Sequence, residues 1–178
     1  MNVNTRDYGE IEVNETAIIQ FEEGILGFEE YRNFVLLDDS NGESPFRCLQ
    51  SLEESDLAFV VIDPFIVKPD YEITLGEELL DRLGIDSKED VLILAIVVVP
   101  EDVSQISFNL RAPVVLNVNQ RKGMQYVVDN DRYRVRHLIF EELEKKKEPA
   151  AEGSGAEAIV PAASTSSENP KEITKDDK

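Results

Sequence analysis

The 178-residue sequence contains no tryptophan, one cysteine and one histidine. A lone cysteine closes no internal disulfide, and without a Cys/His pair there is no zinc cage. One histidine also leaves the chain short of the commonest general acid–base group. Positive charge is scarce as well: 18 Lys and Arg stand against 37 Asp and Glu, a net charge of −19 with the histidine neutral. That imbalance repels phosphate backbones and argues against direct nucleic-acid binding; a basic partner suits it better. The longest apolar run, Val91 to Val99, has nine residues, about half of the roughly 20 that a membrane-crossing helix requires. Met1 to Glu12 carries Arg6, Asp7, Glu10 and Glu12 and no apolar run, so it reads as neither signal peptide nor lipidation signal. A cytoplasmic protein without membrane contact is expected. Cys48, lacking a basic cluster beside it, reads as a packed small hydrophobe rather than a reactive thiol.

What is present is enough for one folded domain, since 42% of the residues are hydrophobic. Residues 1–147 are expected to fold. Residues 148–178 are rich in Ala, Ser, Glu, Pro and Gly, contain no aromatic residue, and are expected to form a disordered, acidic, low-complexity tail. Within that tail Ile159 and Val160 are an adjacent aliphatic β-branched pair, too small to offset their own ordering, and they read as incidental rather than as a docking motif.

Period-two patterns and short β-branched runs between turn residues predict a mostly β fold: a small antiparallel β-barrel-like domain with one or two short helices. Ile11 and Val13, followed by Asn14 and Glu15, suggest a hairpin into Ile18–Phe21. Gly24 and Gly27 punctuate a compact turn before the strand "NFVLL". Further strands are expected at Phe46–Leu49, Leu57–Ile62, Val91–Val99, Ser104–Leu110, Pro113–Val118, Gln125–Val128 and Arg132–Phe140. Val91–Val99 is apolar at successive positions and should be central, buried on both faces. Thr74 and Glu77 have capping-box spacing, and Leu75, Leu79, Leu80 and Leu83 continue to a stop at Gly84, predicting one helix. Glu141–Lys147, with acids first and lysines last, is a second candidate.

The side chains offer little catalytic chemistry. Paired acids such as Glu22 with Glu23 arise without purpose in so acidic a chain, and sequence spacing does not place two carboxylates in a cleft. Gly24 and Gly27 precede no phosphate-loop Lys. His137 is read as a half-buried packing residue sharing a strand face with Tyr133, Val135 and Ile139. Charge is unevenly spread: residues 10–102 hold 24 acids and five bases, whereas 103–140 hold six bases and two acids. Arg132, Arg134 and Arg136 would share one strand face, either gripping an anion or, the favoured reading, lying opposite Glu10 and Glu12. Finally, Phe28 and Tyr31 flank Glu29 and Glu30, and Tyr71 sits between Asp70 and Glu72. Aromatics framed by acids suit a basic, partly apolar protein surface, and packing in the core is the competing role.

The ordered motifs "TRDYGEIEV", "FEEGILGFEEYRNFVLL", "PFRCLQSLEESDLAFVVIDP", "DYEITL", "NLRAPVVLN" and "RYRVRHLIF", spread over residues 5–140, resemble the bacterial flagellar assembly factor FliW family. Cys48, where family members often carry an aromatic, and Phe108, where they carry a small residue, depart from the pattern. The resemblance implies a non-enzymatic, monomeric β-barrel without cofactor or metal. It also implies two partners. One is the RNA-binding regulator CsrA, whose repression of flagellin mRNA translation the factor antagonises; the other is flagellin itself, in a partner-switching loop. Because acids flank aromatics there, Glu29, Glu30, Asp70, Tyr71 and Glu72 are the candidate contact residues for such a partner. A barrel enclosing a small apolar ligand is the alternative, and a two-carboxylate hydrolase a third.

Overall fold

The computed structural model describes residues 1–39, 42–147 and 159–161. In chain order the strands are β1 (Asn2–Thr5), β2 (Gly9–Glu12), β3 (Ile18–Phe21), β4 (Asn33–Leu37), β5 (Phe46–Ser51), β6 (Ala58–Ile62), β7 (Ile73–Leu75), β8 (Val91–Val98), β9 (Ser107–Phe108), β10 (Val114–Asn117), β11 (Lys122–Gln125), β12 (His137–Leu138) and β13 (Ile159–Pro161). The α-helices are α1 (Pro64–Val67), α2 (Glu77–Leu83) and α3 (Ile139–Lys147), one more than the pattern predicted.

Seven strands close a barrel in the order β3-β4-β5-β6-β8-β10-β11, with β11 returning to β3. Every pairing is antiparallel except β11 with β3, where Lys122 lies opposite Gln20. The parallel pair follows from counting, because alternating directions cannot close around an odd number of strands. Closure also removes the open edges that invite aggregation.

Alternation along each strand sorts the side chains into three cores. Ile19, Phe21, Phe34, Leu49, Val61, Leu94, Val114 and Leu116 form one cluster, which lines the barrel interior. Ile62, Ile93, Ala95, Val97 and Val115 point the other way, into a second core covered by α1, β7 and α2. Ile18 and Val35 likewise face a third, small core under the β1–β2 hairpin. Consecutive residues of β8 from Val91 to Val97 therefore belong to different cores, which is why that stretch is apolar at every position; Val98 is exposed. Gly123 belongs to the interior: a Cβ there would lie 2.5 Å from Phe21 Cζ. Cys48 is buried and unpaired with any thiol, and burial pushes its pKa up.

Several local expectations give way to the structure. β2 pairs with β1, Val3 opposite Ile11, and does not lead a hairpin into β3. Asn14 accepts a hydrogen bond from Thr16 N (3.0 Å), capping a 3₁₀ turn at Glu15–Ala17 that redirects the chain. Thr74 caps no helix: it lies in β7 between buried Ile73 and Leu75, and α2 starts after Gly76 with no side-chain cap. The stop at Gly84 holds, with φ +65° and its N–H donating to Asp81 O. α1 went unread although its signal is local: Asp63 accepts from Phe65 N (2.9 Å) and Pro64 occupies the first turn.

The expected strand Arg132–Phe140 is mostly turn. Asn130 accepts from Arg132 N (3.0 Å), only His137–Leu138 pair with β9, and α3 begins at Ile139. The three arginines therefore share no strand face. Arg134 pairs with Glu141 at 3.2 Å, and the Arg132 guanidinium lies 6.0 Å from the Tyr133 ring centroid. Of the tail predicted to be disordered, the described residues Ile159–Pro161 form β13, parallel to β7, with Ile159 opposite Ile73 and Pro161 opposite Leu75.

Candidate partner-binding surface

The turn leaving β3 is built by two left-handed glycines, Gly24 at φ +70° and Gly27 at φ +84°. Gly24 is required twice over, since a Cβ would meet the Glu29 backbone at 2.7 Å. Ile25 plugs the barrel end and bridges to Phe28, whose N–H donates to Ile25 O at 2.7 Å. That geometry throws the neighbouring side chains outward: Leu26 is 58% exposed and Phe28 37% exposed. The Phe28 ring still rests edge-on against Phe59, centroids 5.2 Å apart, so it is presented on a rigid seat. Gln125 accepts from Leu26 N (3.0 Å) and ties the turn to β11.

Charge at this end is divided. Glu22 and Glu23 are committed to Arg82, and Glu22 also to Lys122. Glu29 and Glu30 are exposed and, among the described residues, form no ion pair. The Glu29 carboxylate accepts from Gly27 N (2.8 Å), and that backbone hydrogen bond holds its pKa below the ordinary carboxylate value. The turn thus offers two apolar side chains beside two carboxylates that, among the described residues, have no cationic partner. Tyr31 is only partly buried and packs on the interior cluster.

The second predicted group behaves differently. Tyr71 is 0% exposed. Its hydroxyl donates to Leu110 O at 2.9 Å, its ring stands edge-on to Tyr133 with centroids 4.7 Å apart, and burial pushes its phenol pKa up. Tyr71 is therefore corrected from a contact residue to a core residue. Asp70 accepts from Lys68 Nζ (2.9 Å) and is spent in part on that pair, whereas Glu72 presents an exposed side chain while its N–H donates to the Tyr133 hydroxyl (2.8 Å). No hydrogen bond or ion pair among the described residues joins this segment to Glu29 or Glu30.

Two features escaped the sequence reading. Ile66, Phe140 and Leu143 lie exposed on α1 and α3, which pack together. Beneath them sits a buried ionic cluster. Glu142 accepts from His137 Nε2 (2.6 Å) and Lys145 Nζ (2.9 Å), with Lys68 Nζ 3.5 Å away. Burial pushes the Glu142 carboxyl up, but the hydrogen bonds from His137 and Lys145 and the charges of Lys68 and Lys145 outweigh it and hold the pKa at about 2. His137 is thus a buried core residue hydrogen-bonded to Glu142 rather than a half-buried packing one. Nothing in the spacing of "EELEKKK" pointed one glutamate inward; only the α3–α1 packing does.

The first cluster lines the barrel interior, and Ile19 and Leu116 of that cluster also line a cavity that opens at one end. That cavity, of about 250 Å³, opens at the opposite end from the Gly24–Glu30 turn, lined by Ile19, Leu36, Leu92, Arg47 and Arg121 among others. Arg47 is already paired there with Asp38. Among the described residues, no helix is long and apolar enough to cross a membrane.

Comparison with known proteins agrees with this architecture. The family model described as FliW protein matches residues 2–139. A protein of Caldicellulosiruptor saccharolyticus named flagellar assembly factor FliW is 52% identical over 141 residues, covering 79% of this chain and 91% of its own. One of the same name from Ruminiclostridium cellulolyticum is 45% identical over 147 residues, covering 83% and 99%. A solved structure titled as the crystal structure of the flagellar assembly factor FliW superposes with a TM-score of 0.74 at 39% identity, covering 78% of this chain and 96% of that one. The chain belongs to the FliW family.

Proposed function

We propose that the chain serves flagellar assembly in the cytoplasm as a protein-binding regulator rather than an enzyme: it binds CsrA, relieves repression of flagellin mRNA translation, and binds flagellin as a chaperone. Unassembled flagellin then occupies it, frees CsrA and lowers flagellin synthesis. The role in flagellar assembly rests on the family and on the names of its relatives. The partner-binding role is carried by one observation: the rigid Gly24–Glu30 turn presents Leu26 and Phe28 beside two carboxylates that no cation among the described residues neutralises. Covering what remains exposed of Leu26 and Phe28 is worth about 1 kcal/mol each, a contribution to anchoring a small interface. The surrounding negative field speeds encounter with a basic partner, with association reaching about 10⁸ M⁻¹s⁻¹ or more at low salt. It also repels RNA. Interference with RNA binding at a separate site on CsrA is reciprocal, so RNA weakens the docked complex by the same factor.

The test is binding of purified CsrA and flagellin, separately and then together. Each should bind alone, and flagellin should displace CsrA. Failure of both to bind overturns the proposal; simultaneous binding removes partner switching from it. For an apolar small ligand, the second reading, the cavity at the barrel end is a poor match, because Asp38, Arg47, Asn117 and Arg121 are among its lining residues.

A further inference from the structure

β7 is held by its side chains and open along its backbone. Ile73 and Leu75 are buried in the second core, and among the described residues the only strand that pairs with β7 is β13. β13 is an addition to the family domain: the matched region ends at residue 139, and Ile159–Pro161 reach β7 across the eleven residues 148–158. A span of that length extends at most roughly 40 Å. An unpaired strand edge is a template for another extended chain, and a three-residue parallel ladder offers few hydrogen bonds to resist exchange.

We propose that the edge of β7 is a strand-addition site for a partner's extended peptide, and that Ile159–Pro161 is its built-in competitor. Charge defines the partner. β7 is bordered in sequence by Asp70, Glu72, Glu77 and Glu78, while the chain's own strand follows Glu157 and meets no basic residue before Lys171. The resident strand therefore follows an acid of the same sign as these four, with Lys68 beside Asp70 and Lys88 beside Leu75 the cations nearby. A peptide with two adjacent β-branched residues and basic flanks keeps the same backbone ladder and replaces repulsion with attraction. This inference does not depend on which proteins the chain regulates.

The experiment uses the full chain and its variant with Ile159→Gly and Val160→Gly, changes confined to the tail that leave the barrel untouched. Two fluorescent peptides serve as probes, one with the sequence of residues 156–163 and one with Glu157→Lys and Ala162→Lys in that sequence. The variant should bind the basic probe about tenfold more tightly than the unaltered chain, as when a resident strand is seated about nine-tenths of the time. The basic probe should bind more tightly than the acidic one, with a gap that narrows as salt rises. Hydrogen exchange should show Ile73–Leu75 amides protected in the unaltered chain and released in the variant. Equal affinity in both chains, no binding to either, or unchanged exchange overturns the proposal. A dimer that protects β7 with a second copy's strand also overturns it.

Discussion

Phe28 and Tyr71 stand in similar company, each an aromatic beside acidic neighbours, yet one is 37% exposed and the other fully buried. The difference comes from the backbone beneath them. Phe28 closes a glycine-built turn at the barrel end, where the chain reverses and its side chains splay outward. Tyr71 begins an alternation in which residues 71, 73 and 75 are buried and 72 and 74 exposed. An acid-framed aromatic is therefore a contact residue only where no strand period claims it. The two regions also differ in what holds them. The turn is fixed by backbone geometry and one carboxylate, whereas the flank around Tyr71 relies on buried polar groups.

The largest test of that contrast is truncation of the two rings. Tyr71→Ala should cost about 3–5 kcal/mol in denaturant unfolding, because it opens a cavity and strands the Leu110 carbonyl. Phe28→Ala should cost about 1 kcal/mol or less, its ring being partly solvated already. Comparable losses would erase the distinction.

Next comes the ionic cluster. Glu142→Gln should destabilise the chain by roughly 1–2 kcal/mol, since the buried hydrogen bonds from His137 and Lys145 weaken while Lys68 keeps Asp70. The Glu142 carboxyl is lower in the folded chain, at about 2 against an ordinary 4.5. The stabilisation is accordingly complete above about pH 4.5 and lost as pH falls towards 2. Urea midpoints measured across that window should fall steeply for the unaltered chain and less steeply for Glu142→Gln.

Similar in size is Gly24→Ala, expected to cost about 2 kcal/mol from a left-handed alanine pressed on the Glu29 backbone. It should also weaken CsrA binding, because Glu29 and Phe28 move with the turn. Retained affinity in a folded Gly24→Ala protein would separate the turn from the docking surface.

Much of the barrel was legible in the sequence because period two is a local signal: β4, β5, β6, β8 and β10 lie close to their expected positions, and the run at Val91 announced a strand buried on both faces. What was not legible depended on contacts distant in sequence. The two-residue capping pattern at Thr74 and Glu77 competed with the three-position alternation of "YEITL", and only the second core, which takes in Tyr71, Ile73 and Leu75, decides for the strand. The same core exposes why Tyr71 fails as a contact residue. Of the candidate site, Glu29 and Glu30 keep the exposure expected of them, while Leu26 went unnoticed because nothing polar frames it in sequence. Burial of Glu142 depends on Lys68, 74 residues away.

A small change in stability carries the most direct test. Glu29→Lys with Glu30→Lys lies on the surface and should cost about 1 kcal/mol, the hydrogen bond from Gly27 N to the Glu29 carboxylate being lost. The decisive measurement is the rate of association with CsrA for this pair of substitutions and for the unaltered chain, followed across a range of ionic strength. Docking through the acidic turn predicts a rate lowered about tenfold at low salt, with the two chains converging as salt rises. Superimposable rates and salt slopes would contradict it.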